Sequence, residues 1–308
     1  MRILVIGAGA TGGYFGARLA QAGRDVTFLL RPKRAAAVRA NGLTLTGQGP
    51  DETVPVSVVT ADELDRPYDL VLLTVKHAAL ASAMNDLAPA VGPGTLIVPF
   101  LNGMSHMDQL SQRFGPEAVL GGVVIVSTTL GPDGAIVRLA PQASLTVGAQ
   151  SGQRPDGLAD VAAALGDVAG YDFALSDHIL ADMWGKWVFI ATVGGLTCLM
   201  RGSVGEIIAV PGGDRVGPAF LAEAAAIAAG AGYPLPEPQL KRVTATVTQP
   251  GSPLTSSMYR DVLDGFPAES DDIIGDLAAR GRAHGLTSPL LELTAVQLAV
   301  HNARAQAG

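Results

Sequence analysis

The feature that most constrains this chain lies in its first dozen residues. The apolar run RILVI at Arg2–Ile6 leads straight into Gly7, Gly9 and Gly12, spaced GxGxxG, and an Ala-rich amphipathic stretch follows. Strand, tight turn and helix in that order open a βαβ unit. The first glycine permits the turn, the second lets backbone amides approach a pyrophosphate, and the third allows close helix packing. The helix N-terminus adds a field that favours an anion. The loop Gly7, Ala8, Gly9, Ala10, Thr11 and Gly12 is therefore a candidate dinucleotide cradle. The alternative is a glycine-rich turn that binds nothing, and the motif's place between strand and helix weighs against it.

The alternation continues along the chain. Short aliphatic runs, ILVIG, DVTFLL, YDLVLLTV, GTLIVPF and AVLGGVVIV, are separated by helical stretches through about residue 176, the pattern of a mainly parallel sheet flanked by helices. After YDFALS the period is helical, in DHILADMWGKWVFIATV, PAFLAEAAAIAAGAG, PQLKRVTATV, SDDIIGDLAARGRAHG and SPLLELTAVQLAVHNARA. The expected fold is α/β, with an N-terminal Rossmann-type doubly wound sheet over 1–176 and an all-helical C-terminal domain over 177–308. In the last helix, Ser288 should be the N-cap and Pro289 the first helical residue, with Gly285 closing the helix before it. QSGQRPDG reads as a surface loop.

A net charge of -7, with no basic cluster beyond RPKR, argues against nucleic acid or an anionic membrane as partner and favours a small molecule. One cysteine, Cys198, excludes an intrachain disulfide, and five histidines without close Cys/His spacing leave no recognisable metal site. The glycines of MRILVIGAGA come too early for a signal-peptide core or a membrane span, so a cytoplasmic protein is expected. Symmetry is common among oligomers, which makes a homodimer the default.

Four polar residues stand where a dinucleotide enzyme places its ligands. Arg31 follows the strand DVTFLL, where an NAD enzyme carries an acid for the ribose hydroxyls. A guanidinium there, with Lys33 or Arg34 behind it, suits a 2′-phosphate and points to NADP(H), although a solvated basic turn has the same sequence. Lys76 closes DLVLLTVK and Asn102 follows TLIVPFLN, both at the carboxyl ends of strands, where ligands gather; each could instead be an ordinary strand-end cap. Lys186 lies in ADMWGKWVFIATVGG and shares a helical face with Ile179, Met183 and Ile190. Asp182 stands four residues before it, the spacing of a simple surface pair, yet Trp184 and Trp187 flank it and a desolvated ammonium is costly.

These residues resemble the 2-dehydropantoate 2-reductases, or ketopantoate reductases. The likeness spans nearly the whole chain and rests on GAGATGGYFGARLAQAG, VKH, LNGM, WGKW and SSMYRDVLDGFPAESDDIIG. It implies NADPH-dependent reduction of 2-dehydropantoate to pantoate in pantothenate synthesis, with Lys186 as proton donor and substrate ligand. It also implies Lys76 and Asn102 beside the nicotinamide ribose and substrate, Arg31 on the 2′-phosphate, Ser257 on the substrate, and Glu269 near the cofactor and the catalytic lysine. Read without the resemblance, Ser256 is a helix N-cap and Glu269 a solvated acid.

The likeness departs at three places. The well-known bacterial members carry asparagines where this chain has Ile190, Gly194 and Val204, so three amide ligands are replaced by apolar groups. Arg201 or Thr197 is the expected substitute for a substrate carboxylate. The small 2-oxoacid is then ketopantoate, or another 2-oxoacid reduced by a paralogue; a non-catalytic NADPH-binding sensor is the reading from a different class.

Overall fold

The parallel run of strands forms as the apolar alternation requires. In the computed structural model, which describes residues 1–151 and 155–307, the first half contains β1 (Arg2–Ile6), α1 (Ala10–Gln21), β2 (Asp25–Leu29), α2 (Pro32–Asn41), β3 (Leu43–Gly47), β4 (Glu52–Val54), β5 (Ser57–Val59), β6 (Leu70–Leu73), α3 (Leu80–Leu87), β7 (Leu96–Pro99), α4 (Ser105–Phe114), β8 (Leu120–Leu130), β9 (Ile136–Ala149), α5 (Leu158–Leu165) and β10 (Asp172–Leu175). Helices follow: α6 (Ile179–Met200), α7 (Val204–Ile208), α8 (Gly213–Gly230), α9 (Glu237–Val247), α10 (Ser257–Leu263), a π-helical turn at Asp271–Gly275, α11 (Asp276–Ala283) and α12 (Pro289–Ala307). By internal contacts the chain divides into Met1–Leu101 with His106–Ile179, and Asn102–Ser105 with Leu180–Gly308.

The first unit holds a five-stranded parallel sheet in the order β5-β2-β1-β6-β7. Strands β1, β6 and β7 are almost wholly buried, as expected for strands covered on both faces. Strand order reverses between β1 and β6, so their carboxyl ends form the switch point where open α/β sheets bind ligands.

AVLGGVVIV was expected as a further strand of this sheet. It does form a strand, β8, but it pairs antiparallel with β9 in a second sheet of order β10-β9-β3-β4. β9 also pairs in parallel with β3 and β10. The eleven residues of β8 and fourteen of β9 exceed the short strands of the parallel sheet, and their outer halves mix polar and apolar residues, which hid β9 from a search for apolar runs.

Among its described residues the second unit is helical, with α6 at its centre. This helix is long and apolar enough to cross a membrane, but 72% of the relevant window is buried within the protein, the mark of a core helix. Trp187 donates its indole N–H to the carbonyl of Ile273 at 2.9 Å, tying α6 to the π-helical turn. Trp184 stacks on Tyr233 with ring centroids 5.6 Å apart.

The start of α12 differs from expectation. Pro289 is its first residue, and Gly285 takes the left-handed conformation after α11. Ser288 precedes α12, but its buried hydroxyl makes no hydrogen bond. The carboxylate of Glu223 on α8 instead accepts the amides of Leu290 and Leu291, each at 3.0 Å. A charged acceptor at those amides also complements the helix dipole, so the better cap comes from another helix. Part of QSGQRPDG lies outside the described residues.

Candidate functional site

The glycine loop sits at the carboxyl end of β1, and its three glycines meet three different demands. Gly7 has φ +96, a conformation that strains any residue with a side chain. A methyl on Gly12 would overlap the Thr74 side chain and approach the Gly7 carbonyl. A methyl on Gly9 would meet nothing within 4 Å, so backbone there is open to a ligand. Thr74, just past β6, donates its hydroxyl to the carbonyls of Ile6 at 2.8 Å and Gly7 at 3.2 Å and braces the turn. Ala10 begins α1, so the loop of Gly7, Ala8, Gly9, Ala10, Thr11 and Gly12 runs into a helix N-terminus. This cradle fits a dinucleotide pyrophosphate. Thr74 escaped the sequence reading because only the fold places it under Gly12.

Arg31 is exposed and occupies the N-cap position of α2, directly beyond β2, the strand beside β1. Lys33 is exposed as well. Arg34 is bound to the fold, donating to the carbonyls of Gly134 at 2.8 Å and Ala8 at 3.4 Å. Of the three cations only Arg31 and Lys33 present exposed side chains. Lys76 is exposed where the chain leaves β6 for a short 3-10 turn at His77–Ala79.

The second unit gathers the other candidates. Asn102 is half-buried at a turn whose next residue, Gly103, has φ +79 and leaves no room for a side chain against the Asp272 carbonyl. Ser105 donates to the Asp272 carboxylate at 3.1 Å. The same π-helical segment accepts the Trp187 indole, and Glu269 lies just before it. Single π turns interrupt helices most often at functional sites.

Lys186 is half-buried on α6. Burial lowers its pKa to about 8, with the nearby Glu269 carboxylate opposing the shift. Glu269 is thus electrically coupled to the lysine and is not merely a solvated acid. Ser256 is the N-cap of α10, accepting the Tyr259 amide at 2.9 Å, while Ser257 is exposed at the first helical position.

Neither expected substitute for the missing amides suits that role. Thr197 is completely buried, donates to the Val193 carbonyl at 2.8 Å and lies 3.0 Å from the Ser256 hydroxyl. Arg201 follows the end of α6, and fifteen residues of continuous helix place it about 22 Å along the axis from Lys186. The helix was expected to end near residue 193; its extension to Met200 separates the two cations. Among the described residues, no group of three His, Cys, Asp or Glu side chains could hold a metal ion.

Comparison with known proteins agrees with this construction. Residues 3–152 match the family described as "Ketopantoate reductase PanE/ApbA", and residues 178–302 match its "C terminal" counterpart. An "Uncharacterized oxidoreductase YkpB" of Bacillus subtilis (strain 168) is 31% identical, over 98% of this chain and 99% of that protein. A 2-dehydropantoate 2-reductase structure from Geobacter metallireducens GS-15 is 29% identical with a TM-score of 0.86, covering 97% of this chain and 99% of that one. A D-mandelate dehydrogenase solved with NADH and anilino(oxo)acetate covers 99% of this chain and 100% of its own at TM-score 0.88, but its 20% identity shows a shared fold alone. With both halves matched by family models and the relatives aligned along nearly their whole length, this chain belongs to the ketopantoate reductase family of oxidoreductases.

Proposed function

We propose that the chain is an NADPH-dependent 2-oxoacid reductase that works as a 2-dehydropantoate 2-reductase does, converting a short branched 2-oxoacid of the ketopantoate type to the 2-hydroxyacid. The observation that carries this reading is a desolvated lysine, Lys186, coupled to Glu269. The loop from Gly7 to Gly12 would hold the pyrophosphate, Arg31 the 2′-phosphate, and Lys76 with Asn102 the nicotinamide ribose. When bound, the reduced nicotinamide supplies a hydride to the ketone carbon. The C=O π electrons then move onto oxygen. Lys186 stabilises that developing charge and donates one proton to it, forming the hydroxyl, and the neutral amine regains a proton from solvent. With a pKa of about 8 the ammonium is still mostly charged at pH 7, yet it is a stronger acid than an ordinary lysine. Glu269 keeps the ammonium from losing its charge altogether, and Asn102 and Ser257 supply polar contacts to the substrate.

The test is NADPH oxidation with ketopantoate and a panel of other 2-oxoacids, using wild type and Lys186→Ala. Turnover in the wild type that the substitution removes supports the reading; undiminished turnover in the variant, or none by the wild type with any 2-oxoacid, overturns it. The pH profile gives a second check, because activity that needs the ammonium must fall as pH rises through about 8.

A further inference from the structure

From Lys186 towards its C-terminus, α6 presents no polar side chain at the surface on the face the lysine shares. Phe189 and Ile190, both half-buried, lie about 60° and 40° around the axis from it, within one turn. One turn further on, Gly194 is buried, and a side chain there would overlap the terminal methyl of Met258 on α10. Met258 is itself only 3% exposed, so that methyl occupies the space over Gly194. The next hydroxyl along this face, Thr197, is bonded inside the protein.

Resting on the reductase reading above, we propose that the preferred substrate is a 2-oxoacid whose branched side chain is wholly apolar, selected over its hydroxylated counterpart by Phe189, Ile190 and the Gly194–Met258 contact. A hydroxyl on the substrate's side chain must leave water to lie along this surface, and nothing on this strip of α6 replaces its hydrogen bonds. Apolar pockets reject an added hydroxyl only modestly, by about a hundredfold at most, whereas a site built to bind a hydroxyl rejects the analogue lacking it by about 10⁴ or more. The two designs predict opposite signs.

The experiment compares kcat/KM for trimethylpyruvate and ketopantoate, which differ by one hydroxyl, with saturating NADPH and the full chain. We expect trimethylpyruvate to be favoured by about 10- to 100-fold. In Ile190→Asn, which sets an amide one turn beyond Lys186, the ratio should shift towards ketopantoate by about tenfold, and an NADPH titration confirms that the variant is folded. A wild-type preference below tenfold, or one for ketopantoate, overturns this inference and leaves the reductase reading standing. Failure to reduce either compound or any other 2-oxoacid overturns both.

Discussion

The glycine loop and the lysine helix build their sites in opposite ways. At Gly7–Gly12 the site is made of backbone: a left-handed turn at Gly7, open space over Gly9, and a contact at Gly12 too close for any side chain. Nothing charged is buried there, and the fold gains close packing between α1 and the strand ends. At Lys186 the site is a single ammonium held against desolvation, with a pKa lowered from 10.5 to about 8, a cost to the folded state of about 3 kcal/mol at neutral pH. A binding loop can thus coincide with good packing. The proposed reactive group, by contrast, sits where the protein gives up stability, as reactive sites often do.

Substitutions can break this contrast or sharpen it. The largest effect is expected from Lys186→Ala, with kcat down about 10³-fold while the NADPH dissociation constant is unchanged, read by steady-state kinetics and fluorescence titration. A parallel loss of NADPH affinity would show that the two sites do not divide the labour in this way. Gly12→Val should do the reverse, driving a side chain into Thr74, costing about 1–3 kcal/mol in urea unfolding and abolishing NADPH binding.

Lys186→Met tests the stability cost directly. The pKa of Lys186 is lower in the fold than in the unfolded chain, so between about 8 and 10.5 the unfolded chain binds the extra proton and stability rises with pH. Below about 8 the cost is present in full. The methionine variant should therefore be more stable by about 1–3 kcal/mol at pH 7, and the gain should shrink as pH approaches 10.5. A variant no more stable than wild type at pH 7 would remove the contrast. Arg31→Ala should raise the KM for NADPH about 10- to 100-fold and that for NADH by less than threefold; equal changes would sever that arginine from the 2′-phosphate. Smallest of all, Glu223→Ala should cost about 1 kcal/mol of unfolding free energy and leave kinetics untouched, as the loss of a helix cap does.

Much of this was legible before any coordinates, and what was hidden shares a physical reason. Gly7, Gly9 and Gly12 could be read because strand, turn and helix are local, and each glycine answers a local demand. Lys186 was conspicuous as a charge in an apolar period, but its coupling to Glu269 joins residues 83 apart and depends on how α6 and the π-helical segment meet. The same holds for Thr74 beneath Gly12 and for Glu223 at the start of α12, contacts set by tertiary packing. Strand β9 was missed for a different reason: its outer half faces solvent on one side, so it lacks the continuous apolar run that marked the parallel strands. Arg201 was misjudged because a helix end was placed seven residues early, and at 1.5 Å per residue such an error carries a side chain roughly 10 Å out of place.

The packing of Met258 against Gly194 also bears on how this enzyme could change over generations. Enlarging residue 194 alone strikes the thioether methyl, and shortening residue 258 alone leaves a void, so each single step is penalised while the pair together is tolerated. Of the two first steps, the void is the gentler, since flexible neighbours can settle into it. A lineage acquiring a polar group at 194 would therefore be expected to pass through a smaller residue at 258, and that order could be sought in reconstructed ancestors.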